Sequence, residues 1–361
     1  MLVAGGGPAG SALALDLSRR GLRVAIIEQS AYDTFRVGET VPPEIRKLLA
    51  ALGVWEQFLA SERLESYGIR TAWETPAVRQ HDFLFNPYGC GWHVDRAGFD
   101  AMLAHAAEHA GALLLLSTRI TSLQKDANDT WLVEVAQQRK RRTLRGRWLV
   151  DATGRKAFIA RKLGCAIDVV DRLIGAVAML PHSGSGQWTL IEAAKSGWWY
   201  SAPLPGGRMV FAYMTDSDLW RTSRWGDLLK EAPLTSERAS ISETWSPIRV
   251  FSAASMLCQP VAGPNWLVVG DAAFAVDPLS GQGIYKSLEA GLRSAAAIAR
   301  AWEGDTSSMV EYENWTVESF RSYLTVRRQF YRSVDRWPKS RFWQRRRGLP
   351  ADDWNTGERL P

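Results

Sequence analysis

The sequence predicts an α/β fold: a Rossmann-type dinucleotide-binding domain, an inserted and mainly antiparallel β substrate domain, and a C-terminal helical segment. Three observations predict it. Met1-Leu2-Val3-Ala4 reads as the end of a buried strand that runs straight into Gly5-x-Gly7-x-x-Gly10 at the mouth of a helix. From about residue 166 to 255 the apolar residues alternate as in strands, with Pro203-Leu204-Pro205-Gly206-Gly207 as a turn. Trp266 to Val269 is another buried strand, and the alanine-rich run from Gly283 to Trp302 is a long helix.

In chain order, Ala9 to Arg20 is helical, with Ala12, Leu13 and Leu17 on its apolar side and Gly21 as its stop. Leu22 to Ile27 is a second strand closing on Glu28, which completes a βαβ unit. The first strand starts late, so a few residues are expected to precede Met1. Residues 44 to 63 read as helical, and Phe83-Leu84-Phe85 suggests a strand of a second layer. Phe99 to Ala110 is helical, and Leu113 to Leu116 is a parallel-strand candidate. Trp131 to Val135 and Thr143 to Val150 read as paired strands, the latter reaching Asp151-Ala152-Thr153-Gly154. The domains are expected at 1–65, 94–165 and 256–303 for the cofactor, 66–93 and 166–255 for the substrate, and 304–361 for the helical end.

Composition excludes several classes. Cys90, Cys165 and Cys258 lie far apart in sequence, with no CxxC pair and no histidine at ligand spacing, so neither a disulfide scaffold nor a metal site is expected. No apolar run reaches membrane-spanning length and the start is not a signal peptide, so a soluble cytoplasmic protein is expected. The net charge of +6 is moderate and no nucleic-acid module is evident. The 17 tryptophans point to large flat apolar surfaces, either lining a pocket or filling the core.

The glycine pattern carries the first chemistry. One glycine makes the tight turn, one lets a pyrophosphate approach the backbone, and one lets helix and strand pack closely. Pro8 and Ala9 open the helix, whose free amides and positive dipole end favour phosphate. Glu28 ends the second strand, where a carboxylate accepts from ribose hydroxyls. The second constellation decides between NAD and FAD. Asp271 follows the strand Trp266–Val269, and Asp277-Pro278-Leu279-Ser280-Gly281-Gln282-Gly283 opens the alanine-rich helix. Asp271 suits a ribityl hydroxyl, and the amides of Gly281, Gln282 and Gly283 suit the negative pyrimidine edge of a reduced flavin. A capped helix after a strand explains Ser280 alone, not Asp271 together with the Gly-Gln-Gly run.

This pairing resembles the FAD-binding motifs of the flavoprotein hydroxylase and halogenase superfamily, with its glutathione-reductase-like cofactor fold, over nearly the whole chain. The resemblance adds Arg36-Val37-Gly38-Glu39-Thr40, similar to the segment near the flavin in the halogenase-like branch, which nominates Arg36 and Glu39. It places Arg96 against the cofactor and the backbone near Ile120 against the adenine. Gly197-Trp198-Trp199-Tyr200-Ser201-Ala202-Pro203 looks like a variant of the halogenase Trp-x-Trp-x-Ile-Pro signature, and makes Trp198, Trp199 and Tyr200 candidate pocket walls.

The departures bear on the reaction. The interval between Lys47 and Lys125, where halogenases carry their lysine, contains none, and Ser280 stands where tryptophan halogenases have a glutamate. Oxygen insertion is therefore favoured over halogenation. Asp151-Ala152-Thr153-Gly154-Arg155 replaces the Asp-Gly motif that one-component hydroxylases use for NADPH, so electrons are expected from free NAD(P)H or a separate flavin reductase. The Arg-Val-Gly-Glu-Thr-Val-Pro-Pro run and Asn86-Pro87-Tyr88-Gly89-x-Gly91-Trp92-His93 most resemble the flavoprotein maturases of lysine ε-oxidase and glycine oxidase, the LodB and GoxB type. These helpers serve the conversion of a partner's tryptophan into cysteine tryptophylquinone.

The resemblance thus implies an FAD-dependent monooxygenase that uses dioxygen, with the precursor of a quinone-cofactor amino-acid oxidase as its protein substrate. Pro278 is expected near the reactive edge, and His93 is a candidate proton donor. A hydroxylase of a small aromatic metabolite, a halogenase and a non-catalytic assembly factor are the alternatives. The basic, aromatic stretch from Arg327 to Arg347 is expected either to dock an acidic partner or to form a solvated helix face.

Overall fold

The computed structural model describes residues 1–182, 184, 186–220, 225–239 and 245–348. Short runs of β-branched and apolar residues, buried on both faces, build a six-stranded sheet. Its order is Ala262–Gly263, Trp266–Val268, Leu149–Asp151, Leu2–Ala4, Ala25–Ile27 and Leu113–Leu115. All neighbours are parallel except the first pair. The register aligns Ala4 with Ile27 and with Asp151, and Asp151 with Val268, so Gly5, Glu28, Ala152 and Val269 emerge along one carboxyl edge. Open parallel sheets bind ligands at that edge.

One face of this sheet is covered by helix Pro8–Arg19, which lies between Arg96–His109 and Gly283–Trp302. A Cβ on Gly291 would stand 2.7 Å from the Ala9 carbonyl and 2.8 Å from the Ala12 Cβ, so this glycine sets how closely the two cofactor-side helices approach. The opposite face is covered by a three-stranded antiparallel sheet, Thr118–Lys125, Trp131–Gln137 and Lys140–Gly146, which buries Trp131, Val133 and Val135 on Leu2, Ala4 and Ile27. The expected strand Thr143–Val150 is therefore two: its first half pairs with Trp131–Gln137, and the chain then crosses to join the parallel sheet at Leu149.

The second layer is a seven-stranded sheet ordered Arg249–Ser252, Leu173–Pro181, Arg208–Asp216, Gly197–Leu204, Trp188–Ala194, Gly68–Ala72 and Arg79–Asp82. It is antiparallel except where Trp188–Ala194 meets Gly68–Ala72. Several local expectations change here. Phe83-Leu84-Phe85 is not a strand but a turn after Arg79–Asp82, with Leu84 80% and Phe85 93% exposed. Residues 44–63 form two helices, Ile45–Ala51 and Trp55–Ala60, broken at Gly53, whose φ of +58° no continuing helix accepts. The strand-like alternation of 166–255 is interrupted by helices Ser217–Trp220, Trp225–Lys230 and Pro233–Ala239.

At the C-terminal end, helix Ser307–Arg332 packs beside Gly283–Trp302, and helix Arg341–Arg347 folds back to seal one face of the second sheet. The Arg327–Arg347 stretch is divided: Arg332, Lys339 and Arg341 are exposed, whereas other cations of the stretch turn inward. Arg327 is buried between Asp171 and Asp277 at 2.5 and 3.1 Å, and Arg346 is buried on Asp216 at 2.8 Å. Arg345 pairs with Asp216 and Asp218, while Phe342 and Trp343 are fully buried. Charges from the second sheet and from the turn before Pro278 draw these arginines inward. The cysteines are free thiols, and among the described residues no cluster of side chains suits a metal ion. No described helix is long and apolar enough to cross a membrane.

Candidate functional site

The turn from Gly5 to Gly10 is fixed by close backbone approaches. Gly5 has a φ of +105°, and a Cβ there would lie 2.3 Å from the Ala152 carbonyl. At Gly10 it would lie 2.1 Å from the Gly5 carbonyl, and at Gly6 2.3 Å from the Tyr32 hydroxyl. Gly7 differs: nothing stands within 4 Å of its would-be Cβ, and as N-cap it offers the helix no side chain, with Pro8 following. The first amides of Pro8–Arg19 thus face open space beside Ala9 and Gly10, without a protein cap.

Glu28 is buried at the same edge. One of its oxygens accepts from the Gly6 amide at 2.8 Å; the other accepts from the Ser30 amide, the Ser30 hydroxyl and Arg36 at 3.0, 2.6 and 3.0 Å. Arg36 continues to Asp100 at 2.7 Å, and Asp100 also holds Arg96, which in turn donates to the carbonyls of Val37 and Gly38. Glu28, Arg36 and Arg96 are thereby one network, joined through Asp100, a member no sequence motif marked. Glu39 is buried with its Oε1 unpartnered, and burial pushes its carboxyl up to about 7. Ile120 lies two residues past Thr118, whose amide donates to the Glu28 carbonyl at 2.9 Å.

The second constellation meets the first at Gly270, where a Cβ would sit 2.6 Å from the Ala9 Cβ. Asp277 caps the turn Pro278–Ser280 through the Leu279 amide at 2.9 Å, Gly281 takes a φ of +62°, and Gln282 leaves the start of Gly283–Trp302 without a side-chain cap. No atom lies within 4 Å of a Cβ on Gly281 or Gly283. Asp271 is not the free acceptor its position suggests, because Lys286 donates to it at 2.7 Å and Arg155 stands 3.6 Å away. Lys286 sits one turn into the helix and lies over the Phe274 ring at 4.3 Å. Its burial lowers its pKa, against the pull of Asp271. The i to i+3 spacing from Gly283 was the available signal for it, since a side chain there points back toward the helix start.

The expected pocket residues separate. Trp198 and Trp199 point to opposite faces of their strand, and both are fully buried. Trp198 packs against Trp73 and donates to Tyr331 at 2.9 Å, while Trp199 packs against Tyr213 and Trp225. Both indoles are core side chains rather than open walls. Tyr200 is partly exposed and bonds Thr40 at 2.6 Å. Thr40 also bonds His93 Nδ1 at 3.0 Å, and burial pushes His93 down to about 4. Held at Nδ1 by Thr40, the imidazole is fully buried beside the second sheet.

Two uncapped helix starts, glycines whose side chains would fill the approach, a buried carboxylate at the strand end and the orphan oxygen of Glu39 together fit FAD. A family model described as FAD binding domain matches residues 1–314. The chain belongs to this FAD-binding family. It is 29% identical to LodB of Marinomonas mediterranea, an FAD-dependent oxidoreductase by name, over 97% of each chain. It is 24% identical to tryptophan 2-halogenase of Chondromyces crocatus, over 95% of this chain and 69% of that one. Among solved structures, the flavin-dependent halogenase CmlS superposes with a TM-score of 0.86 at 24% identity, covering 98% of this chain and 68% of that one. QhpG, a peptidyl tryptophan dihydroxylase essential for tryptophylquinone cofactor biogenesis, superposes with a TM-score of 0.79 at 22% identity, covering all of this chain and 80% of that one. The protein is thus an FAD-dependent oxidoreductase with the expected α/β architecture and halogenase-like relatives.

Proposed function

We propose that this protein is an FAD-dependent monooxygenase that hydroxylates a tryptophan of a partner protein, the precursor of a quinone-cofactor amino-acid oxidase. The end-to-end likeness to LodB, alongside the shared fold with a peptidyl tryptophan dihydroxylase, carries the reading. Halogenase relatives leave a competing reaction, and two residues argue against it: Ser280 has no carboxylate, and no lysine lies between Lys47 and Lys125.

Bound and reduced FAD supplies the oxygen-activating chemistry. The chain's own work is binding and orientation. The amides after Gly5 and Gly7, with Pro8, Ala9 and Gly10, receive the pyrophosphate at a positive helix end. Glu28 accepts from the ribose, and the backbone near Ile120 borders the adenine. Arg36 and Arg96, joined through Asp100, brace the Arg36–Gly38 segment beside Glu28. Asp271, oriented by Lys286, meets the ribityl chain, while Pro278 and the amides of Gly281, Gln282 and Gly283 face the pyrimidine edge, where a helix start favours negative charge. Dioxygen and an outside donor, NAD(P)H or a flavin reductase, complete the reaction.

The test is to mix the reduced flavoprotein with its unmodified partner precursor, dioxygen and bromide, and to map the partner by mass spectrometry. Added oxygen on a tryptophan is the expected result. Bromine on the indole, or an unchanged partner beside turnover of a small aromatic, would sink the reading.

A further inference from the structure

The antiparallel sheet that backs the parallel one carries its charge unevenly. At its far end every cation has a partner: Lys125 pairs with Asp129, Arg145 with Asp126, and Arg147 lies over Trp302. At its other end Arg119, Arg139, Lys140, Arg141 and Arg142 are all exposed, and among the described residues none has an ion pair. Cross-strand register brings them to one end of the sheet, on both of its faces: Arg119 and Arg141 flank Ala136 on the outer face, while Arg142 opposite Val135 and Lys140 opposite Gln137 stand on the face turned toward the parallel sheet. Glu134, one row further along, is the carboxylate on the middle strand.

The uncompensated end is the end beside Glu28, at the carboxyl edge of the parallel sheet. Gln137 donates to the Leu116 carbonyl at 2.9 Å, and the Thr118 amide donates to the Glu28 carbonyl at 2.9 Å. Lys140 and Arg142 line a small recess with Leu115, Thr118, Val135 and Gln137. Like charges left uncompensated at one end of a sheet repel one another and cost stability. Their restriction to the Glu28 side calls for an anion arriving there. FAD carries two negative charges on its diphosphate, and charges within about 10 Å of a path act on an ion before contact.

We infer that the hairpin bearing Arg139, Lys140, Arg141 and Arg142 is an electrostatic guide that speeds arrival of the FAD diphosphate at the carboxyl edge of the parallel sheet. It acts on the rate of arrival and makes no contact in the bound state. The inference rests on FAD being the cofactor, not on the tryptophan substrate, so it stands or falls separately from the proposed reaction.

Stopped-flow quenching of flavin fluorescence with the flavin-free full chain tests it. Neutralising the four residues together (Arg139→Gln, Lys140→Gln, Arg141→Gln, Arg142→Gln) should slow FAD association about tenfold at low salt. The deficit should shrink toward zero as salt rises, with the dissociation rate unchanged. Exchanging the three arginines for lysine, which keeps the charge, should keep the parental rate. Parental association in the neutralised variant would overturn the inference, and so would a deficit independent of salt or one shared by the lysine variant.

Discussion

The turn at Gly5–Gly10 and the helix Arg341–Arg347 both read, as strings of letters, like surfaces made to receive a charged partner. Only the first is open. At the turn, the close contacts at Gly5 and Gly10 are backbone on backbone, and the helix start that follows has no side-chain cap. In the helix, Arg345 and Arg346 spend their charge on Asp216 and Asp218, which lie about 130 residues earlier. A glycine pattern states a local geometry that nothing elsewhere can cancel. A run of arginines states only a demand for anions, and the fold can meet it internally.

The largest effect should come from the turn. Gly10→Ala puts a Cβ 2.1 Å from the Gly5 carbonyl, a backbone atom with no room to yield, and should cost about 3 kcal/mol or more and abolish flavin retention. Gly7→Ala, with nothing within 4 Å, should keep the parental Tm yet weaken FAD binding, if the diphosphate approaches there as proposed. Thermal melts of both variants without flavin, followed by FAD titration, separate packing from binding. Equal Tm values for the two would break the distinction between the glycines.

Next comes the closed region. Asp216→Leu leaves Arg346 buried without its carboxylate and should cost roughly 3–5 kcal/mol by urea unfolding. Adding Arg346→Met removes the stranded charge and should recover most of that. If the single variant unfolds at the parental midpoint, the helix is a surface charge cluster after all, and partner docking through it returns as a reading.

A pH series gives a smaller effect. Burial raises Glu39 to about 7, so its contribution is fully present below about 4.5 and is lost as pH rises through 7, up to about 3 kcal/mol. His93 runs the other way: lowered to about 4, it supplies stability above its unfolded value of 6.5 that is lost as pH falls toward 4. Without flavin, Glu39→Gln should therefore flatten the decline between pH 5 and 8 and leave the acid limb unchanged. An identical alkaline slope in the variant would show that Glu39 is solvated.

How much of this was legible in sequence follows the same division. The βαβ unit, the strand ending at Asp271 and the late helix start at Gly283 were readable, because each is written in residues within a few positions of one another. That Leu113–Leu115 is a parallel strand followed from its apolar run, whereas its partner Ala25–Ile27 was not written there. The split of Thr143–Val150 between two sheets was hidden, since one alternating run satisfies either. The burial of Trp198 and Trp199 on opposite faces was hidden too, because the covering aromatics Trp73, Tyr331 and Trp225 come from distant segments. Lys286 and Asp100 escaped for the same reason: Lys286 takes its meaning from Asp271, 15 residues away, and Asp100, one helical turn from Arg96, takes its meaning from joining that residue to the distant Arg36.

The smallest effect concerns Glu28, where the open and closed behaviours meet in one side chain. Its carboxylate already accepts from the Gly6 amide, the Ser30 amide and hydroxyl, and Arg36, so it organises the turn, and the proposed ribose contact would come on top of that. Glu28→Gln keeps the shape and one acceptor but turns the other end into a donor aimed at donors. The cost should be about 1–3 kcal/mol of stability, split between the Gly6 and Arg36 sides. If Glu28 is chiefly an organiser, Arg36→Gln, which leaves the carboxylate in place, should weaken FAD binding nearly as much as Glu28→Gln does. If its main role is the ribose contact, Arg36→Gln should leave FAD affinity close to parental while Glu28→Gln lowers it about tenfold. Isothermal titration of the two variants with FAD, beside their melts, decides between the two. We expect the ribose contact to dominate, since Arg36 retains Asp100 as a second partner and the Gly6 amide is bound by the other carboxylate oxygen.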